Sequence, residues 1–155
     1  MQKLLLLMAA GALISVLLPA RQPAHLAPAP PAKGPAGETL LERLDDGHFY
    51  VDGTVNGEVV TFLVDTGASD VVLPVETARR IGIAFSESEF TVIASGASGP
   101  VRGKLLTFDR VSVDGKEALE VSGAIAEGLE QPLLGQAYLS RLSGVEMSGD
   151  YMRLE

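Results

Sequence analysis

The run Phe62-Leu63-Val64-Asp65-Thr66-Gly67-Ala68-Ser69, followed at once by Val71-Val72-Leu73-Pro74, decides how the rest of the chain is read. Three apolar residues form a short buried-strand pattern, and the stretch after Asp70 is a second one that Pro74 stops. Between them a carboxylate stands at a strand end, where a turn begins. Gly67 lets the backbone turn sharply and come close to neighbouring chain. Thr66 supplies a hydroxyl able to bond to backbone and lock the loop. Asp65 is therefore the candidate reactive group. The plainer reading, a turn aspartate after a strand, is common in itself, but it does not account for the apolar flanks. Asp70 reads as a solvated or loop-bonding acid.

Working outward, residues 38–155 carry an all-β pattern. Upstream of the motif, His48 to Val55 and Glu58 to Val64 flank Asn56-Gly57, the strongest short hairpin signal. Downstream, Glu76 to Ile81 predicts one or two helical turns closed by Gly82. Phe90 to Ala94 and Val101 to Phe108 predict strands on either side of a small-residue loop, Ser95-Gly96-Ala97-Ser98-Gly99. Arg110 to Val113 leads into a second hairpin signal, Asp114-Gly115, and then Ala118 to Ala126. Pro132-Leu133-Leu134-Gly135 precedes a short amphipathic helix, Gln136 to Leu142, and Glu146 to Leu154 is placed to close the sheet. Val55 to Glu58 and Val113 to Lys116 are a faint internal echo, each a hairpin turn leading to a strand and a Gly-containing turn.

The N-terminal part differs. After Met1-Gln2-Lys3, the 17 residues from Leu4 to Ala20 are uncharged and mostly apolar, an export element that is either a retained helical anchor or a cleaved signal peptide. A buried helix of the domain is the poorer reading, since the stretch lacks a polar face. Residues 21–37 are rich in Pro and Ala and read as an extended spacer. The expected organisation is thus 1–20 anchor or signal, 21–37 linker, and 38–155 folded domain on the extracytoplasmic (periplasmic) side, held at the inner membrane by residues 4–20 or released by cleavage.

Composition narrows the chemistry. All 20 acidic residues lie at or after Glu38, against nine basic ones there, so that segment carries a net charge of −11. That opposes nucleic acid as a partner. The chain has no cysteine and two histidines, His25 and His48, which argues against a zinc site. A serine hydrolase fails for want of a G-x-S-x-G elbow and of histidines. His48 reads as a strand-edge residue, and Arg79-Arg80 as the wet side of a short helix.

Asp65-Thr66-Gly67-Ala68 resembles the active-site loop of pepsin-like and retroviral aspartic proteases, and matches the single-motif retropepsin branch. The two hydrophobic residues and glycine that the family places before its C-terminal helix resemble Leu133-Leu134-Gly135. The Ser95-Gly96 hairpin sits where the family has its flap, which on general grounds could also be an ordinary flexible tip. The resemblance covers about His48 to Glu155, and with the apolar N-terminus the whole chain looks like bacterial membrane-anchored retropepsin-like proteases. Two positions depart from retroviral enzymes: Ser69, usually acidic there, and Gln136, often basic there.

The resemblance implies a closed β-barrel or sandwich half with a flap hairpin and a short C-terminal helix, after an N-terminal hydrophobic helix. It implies an aspartic endopeptidase acting on polypeptide, with no cofactor and no metal. No second Asp-Thr-Gly or Asp-Ser-Gly exists in the chain, and Asp46-Gly47, Asp52-Gly53 and Asp114-Gly115 read as turns. The second carboxylate is therefore expected from another copy, in a homodimer. The alternative is a catalytically idle domain of this type, used extracytoplasmically for binding or dimerisation. Such a domain would have no chemical reason to keep Asp65-Thr66-Gly67 intact.

Overall fold

The computed structural model describes residues 32–33, 37–96 and 99–155. The expected anchor or signal at residues 1–20 and the hydrophobic helix within it lie outside the described residues. Among the described residues no helix is long and apolar enough to cross a membrane.

Eleven strands carry the fold: β1 (Ala32–Lys33), β2 (Thr39–Glu42), β3 (Tyr50–Val55), β4 (Glu58–Val64), β5 (Val71–Pro74), β6 (Thr91–Gly96), β7 (Gly99–Val113), β8 (Lys116–Ala126), β9 (Leu133–Leu134), β10 (Val145–Ser148) and β11 (Tyr151–Leu154). Among the described residues two short helices, α1 (Val75–Arg80) and α2 (Gln136–Leu139), and a single 3-10 turn at Glu87–Glu89 accompany them.

Six strands form a ring. They run β3-β4-β9-β5-β8-β7, and β7 pairs back onto β3 through Gly53↔Val113 and Val55↔Val111. Strand β6 hangs from β7 outside the ring. Closure needs β3 and β7 to lie very near each other at Gly53, where a Cβ would fall 2.6 Å from the carbonyl oxygen of Ser112. The interior is filled by residues alternating along the strands, as the two-residue period demands. Val60, Phe62 and Val64 point inward from β4, and Val121, Gly123 and Ile125 from β8. Gly123 is small because Phe108 lies against it.

A second, four-stranded antiparallel sheet, β1-β2-β11-β10, packs Leu41, Met152 and Leu154 onto the same core. Thr39, fully buried, spans the junction: its hydroxyl donates to Asp114 Oδ2 (3.0 Å) and accepts from Lys116 Nζ (2.8 Å).

Both hairpin signals are turns with left-handed residues, Asn56-Gly57 at φ 52° and 96° and Asp114-Gly115 at φ 47° and 80°. Several expected boundaries shift. Val101 to Phe108 and Arg110 to Val113 are one continuous strand, β7, because β8 pairs with it in a single register from Gly103↔Ala126 to Val113↔Lys116, with Glu120 opposite the join at φ 47°. The helix after Gly135 stops at Leu139 rather than Leu142. Glu146 to Leu154 folds as the β10–β11 hairpin and joins β2, instead of closing the main sheet.

Candidate active site

Strand β9 is inserted between β4 and β5, parallel to the first (Leu63↔Leu133, Val64↔Leu134) and antiparallel to the second (Val72↔Leu133). The chain leaving β4 cannot reach β5 by a tight hairpin. It must loop over the end of β9, and Asp65 to Asp70 is that loop.

The loop is tied to the segment it crosses. Asp65 N donates to Leu134 O (3.1 Å), Gln136 N to Ala68 O (2.8 Å) and Ala137 N to Ser69 O (2.8 Å). The first free N–H groups of α2 are thus satisfied by the loop's own carbonyls. Gly135 is required by this crossing, since a Cβ there would lie 2.6 Å from Ala68 O and closer still to Asp70 O. Leu133 and Leu134 fill the sheet, and Gly135 lets the two backbones touch.

Asp65 is half-buried at the end of β4, and its Oδ1 accepts from Gly67 N at 2.8 Å. Gly67 does not occupy the left-handed region. Its value is contact: a Cβ there would press within 3.2 Å of that same Oδ1. Thr66 is exposed, and among the described residues its hydroxyl takes no partner; its carbonyl does, accepting from Gln136 Nε2 at 2.9 Å. No local pattern marks this role for Gln136, which becomes visible only once the register of β9 against β4 is known. Asp70 accepts from Ser122 Oγ at 2.5 Å, a bond to the neighbouring strand rather than free solvation.

Beside the loop is a cleft of about 430 Å³. Gly67 to Asp70 form one wall, Val72, Leu133, Ala124 and Ala126 the floor, and Ile93, Ala94 and Val101 of the β6–β7 hairpin the opposite wall. That hairpin is paired to its tip, Ser95↔Pro100 and Gly96↔Gly99, with an irregularity between Val92 and Ala94 at the level of Ile93. Ser95 is exposed, and Ala97 and Ser98 lie outside the described residues. Leu105, exposed on β7, also lines the cleft, a contribution that the sequence did not mark.

The other charged residues singled out lie elsewhere. His48 is exposed, 3.5 Å from Asp46 Oδ1. Asp46 also accepts from Tyr50 Oη (2.7 Å), and that bond, with the one from His48 N, holds its carboxyl below the usual range. Arg79 pairs with Glu76 and Glu87 on the wet side of α1, as expected. Among the described residues no group of three metal-ligating side chains is gathered.

A barrel of this topology, with a carboxylate on the crossing loop and a hairpin facing it, is that of a retropepsin-like aspartic protease. Residues 51–141 match the family of gag-polyprotein putative aspartyl proteases, and the chain belongs to that family. It is similar to the crystal structure of a retropepsin-like aspartic protease from Rickettsia conorii, at 34% identity and a TM-score of 0.65, over 76% of this chain and 90% of that one. It is 33% identical over 119 residues to an uncharacterized protein of Rickettsia prowazekii (strain Madrid E), and 32% identical over 119 residues to an uncharacterized protein of Sinorhizobium sp. Each match covers 76% of this chain and 51% of the relative, so the chain spans about half the length of the curated relatives it matches.

Proposed function

We propose that the chain is an aspartic endopeptidase whose working form is a homodimer, with Asp65 of each copy supplying one of two catalytic carboxylates. The observation that carries this reading is the setting of Asp65. It sits on a loop fixed by backbone bonds to Leu134 and α2, beside a cleft faced by the β6–β7 hairpin. Its side chain accepts from Gly67 N, and among the described residues no second acid is hydrogen-bonded to it.

Two carboxylates about 3 Å apart cannot both ionise and so share one proton, a general property of aspartic proteases. The ionised member removes a proton from a bound water, whose oxygen attacks the peptide carbonyl carbon. The protonated member donates to the developing oxyanion. Collapse of the tetrahedral species breaks the C–N bond as the leaving nitrogen takes a proton from the carboxyl pair. The pair titrates as a unit, so no single pKa belongs to either Asp65. The hairpin acts as a lid that excludes water around an extended polypeptide.

The apolar run Leu4 to Ala20 and the Pro/Ala-rich spacer support a domain held on the extracytoplasmic side of the inner membrane, or released there by cleavage. A topology reporter fused after Glu155 is expected outside the cytoplasm; a cytoplasmic signal sinks that placement. For the activity, the decisive experiment is cleavage of a peptide library by wild type and by Asp65→Asn. The amide keeps the shape and removes the group that activates water, so turnover should vanish with the fold intact. Wild-type turnover by the purified variant would end the assignment.

A further inference from the structure

From Glu38 onward the chain has nine basic residues against 20 acids, so every cation has carboxylates to choose from. Six of them take one: Arg43, Arg79, Arg102, Lys104, Arg110 and Arg153 each lie within ion-pair distance of an acid. Among the described residues Arg80, Lys116 and Arg141 have no carboxylate that near. Residues 1–37, 97 and 98 contain no acid, so no side chain outside the described residues supplies one.

Two of these three, Lys116 and Arg141, line one cavity of about 290 Å³ between the start of β8 and the segment after α2. It shares no residue with the cleft beside Asp65. Neutral partners fix both head groups. Lys116 Nζ donates to the buried hydroxyl of Thr39 (2.8 Å), and Arg141 donates to the carbonyl oxygens of Leu119 and Glu120. These bonds hold the cations without cancelling their charge, and they leave further N–H groups of each free to donate. Asp114 meets Lys116 only through the Thr39 hydroxyl. Two acids also line the cavity, and each faces another arginine: Glu117 accepts from Arg110 Nη1 at 3.1 Å, and Glu155 Oε1 lies 4.0 Å from Arg153 Nη1. Ser143 adds a hydroxyl, and Leu142 a half-buried apolar wall.

We propose that this cavity binds a small organic anion, its carboxylate or phosphate group held between Lys116 and Arg141 and bonded by Ser143. The volume lies at the lower end of the range for ligand pockets, about 300 Å³ upward, which suits a small molecule rather than a folded partner. The net charge of −11 on the segment from Glu38 onward repels anions at long range, so affinity arises from charge-assisted bonds to donors already in place. The inference goes beyond the protease reading and does not rest on it.

The test is an NMR titration of the full chain in a zwitterionic detergent and low-salt, phosphate-free buffer. It follows the amides of Ser143 and Gly144 with succinate, inorganic phosphate and succinamide as probes. Succinate or phosphate should bind with a Kd below about 10 mM, and succinamide, the uncharged analogue, should not. Whichever anion binds tighter tells a carboxylate ligand from a phosphate one. Arg141→Gln and Lys116→Gln should each weaken binding about tenfold, the scale of one charge-assisted hydrogen bond. Arg80→Gln removes the third such cation, which lies outside the cavity, and should leave the Kd unchanged. The spectra themselves report folding; if Lys116→Gln unfolds because Thr39 loses its donor, Arg141→Gln decides alone. No saturable shift with either anion, a Kd unmoved by Arg141→Gln, or equal weakening by Arg80→Gln overturns the site.

Discussion

Gln136 Nε2 donates a 2.9 Å hydrogen bond to the carbonyl oxygen of Thr66, joining the first residue of α2 to the residue next to Asp65. The two lie 70 positions apart in the chain. Here a neutral amide ties down the loop that carries Asp65, at the position where the resemblance to retroviral enzymes implies a basic residue.

Gln136→Glu should expose that contact. The substitution keeps the shape but cannot donate, and it sets a carboxylate against a carbonyl oxygen. A net loss of about 1 kcal/mol is expected for such a bond. Its effect should fall mainly on kcat, by roughly threefold to tenfold, because the loop holding Asp65 is less ordered. Unchanged kcat on a fluorogenic peptide, with wild-type thermal unfolding, would mean that the backbone bonds alone suffice.

Gly135→Ala places a methyl group between two carbonyls, 2.6 Å from Ala68 O and closer to Asp70 O. Neither is a flexible side chain, so the crossing must open. Destabilisation of about 2 kcal/mol or more is expected in urea unfolding, together with loss of activity. Gly128→Ala is a useful control: a Cβ there meets nothing within 4 Å, and its cost arises from the backbone at φ 71° alone.

Burial pushes the Tyr138 phenol up to about 12, and its hydroxyl donates to Lys116 O at 2.7 Å, a bond that only the neutral form makes. The folded pKa is raised, so this stabilisation is fully present below the ordinary value near 10 and is lost as pH rises toward 12. Tyr50, also pushed to about 12, first by burial and then by Asp46, acts in the same direction. Tyr138→Phe should cost about 1 kcal/mol at neutral pH and make stability fall less steeply above pH 10. Urea midpoints across that range read it directly; an alkaline slope equal to wild type would remove Tyr138 from the account.

The dimer is tested by mixing. Specific activity should rise with enzyme concentration until dimers dominate. Adding a fourfold excess of Asp65→Asn protein should lower activity about fivefold, since random assortment leaves one wild-type chain in five with a wild-type partner. Constant specific activity through the dimer dissociation range, with no suppression, would require a second acid from the same chain.

Local signals carried much of this. The Asn56-Gly57 and Asp114-Gly115 turns and the helix near Glu76 were legible because each is set by neighbours in sequence, whereas the Leu133-Leu134-Gly135 triplet was marked only by its resemblance to the family pattern. Asp65 stands out as the candidate reactive group because its flanks are unusual. What could not be read depends on register between distant strands: the closure of β7 on β3, the pairing of Thr39–Glu42 with Tyr151–Leu154, and the partners of Gln136 and Asp70. Gly103 belongs to the same group. It looks like an ordinary strand glycine, yet a Cβ there would collide with the backbone of Ile125. No local pattern encodes such a contact.

Strand β6 lies outside the six-strand ring, bonded along one side only. The hairpin that faces the cleft is therefore an appendage on a finished frame. Its tip can be lengthened, shortened or exchanged between relatives with no ladder of the ring to rebuild. For protein engineering this makes the hairpin the natural place to graft new substrate preferences, and the barrel a chassis that can carry them unchanged.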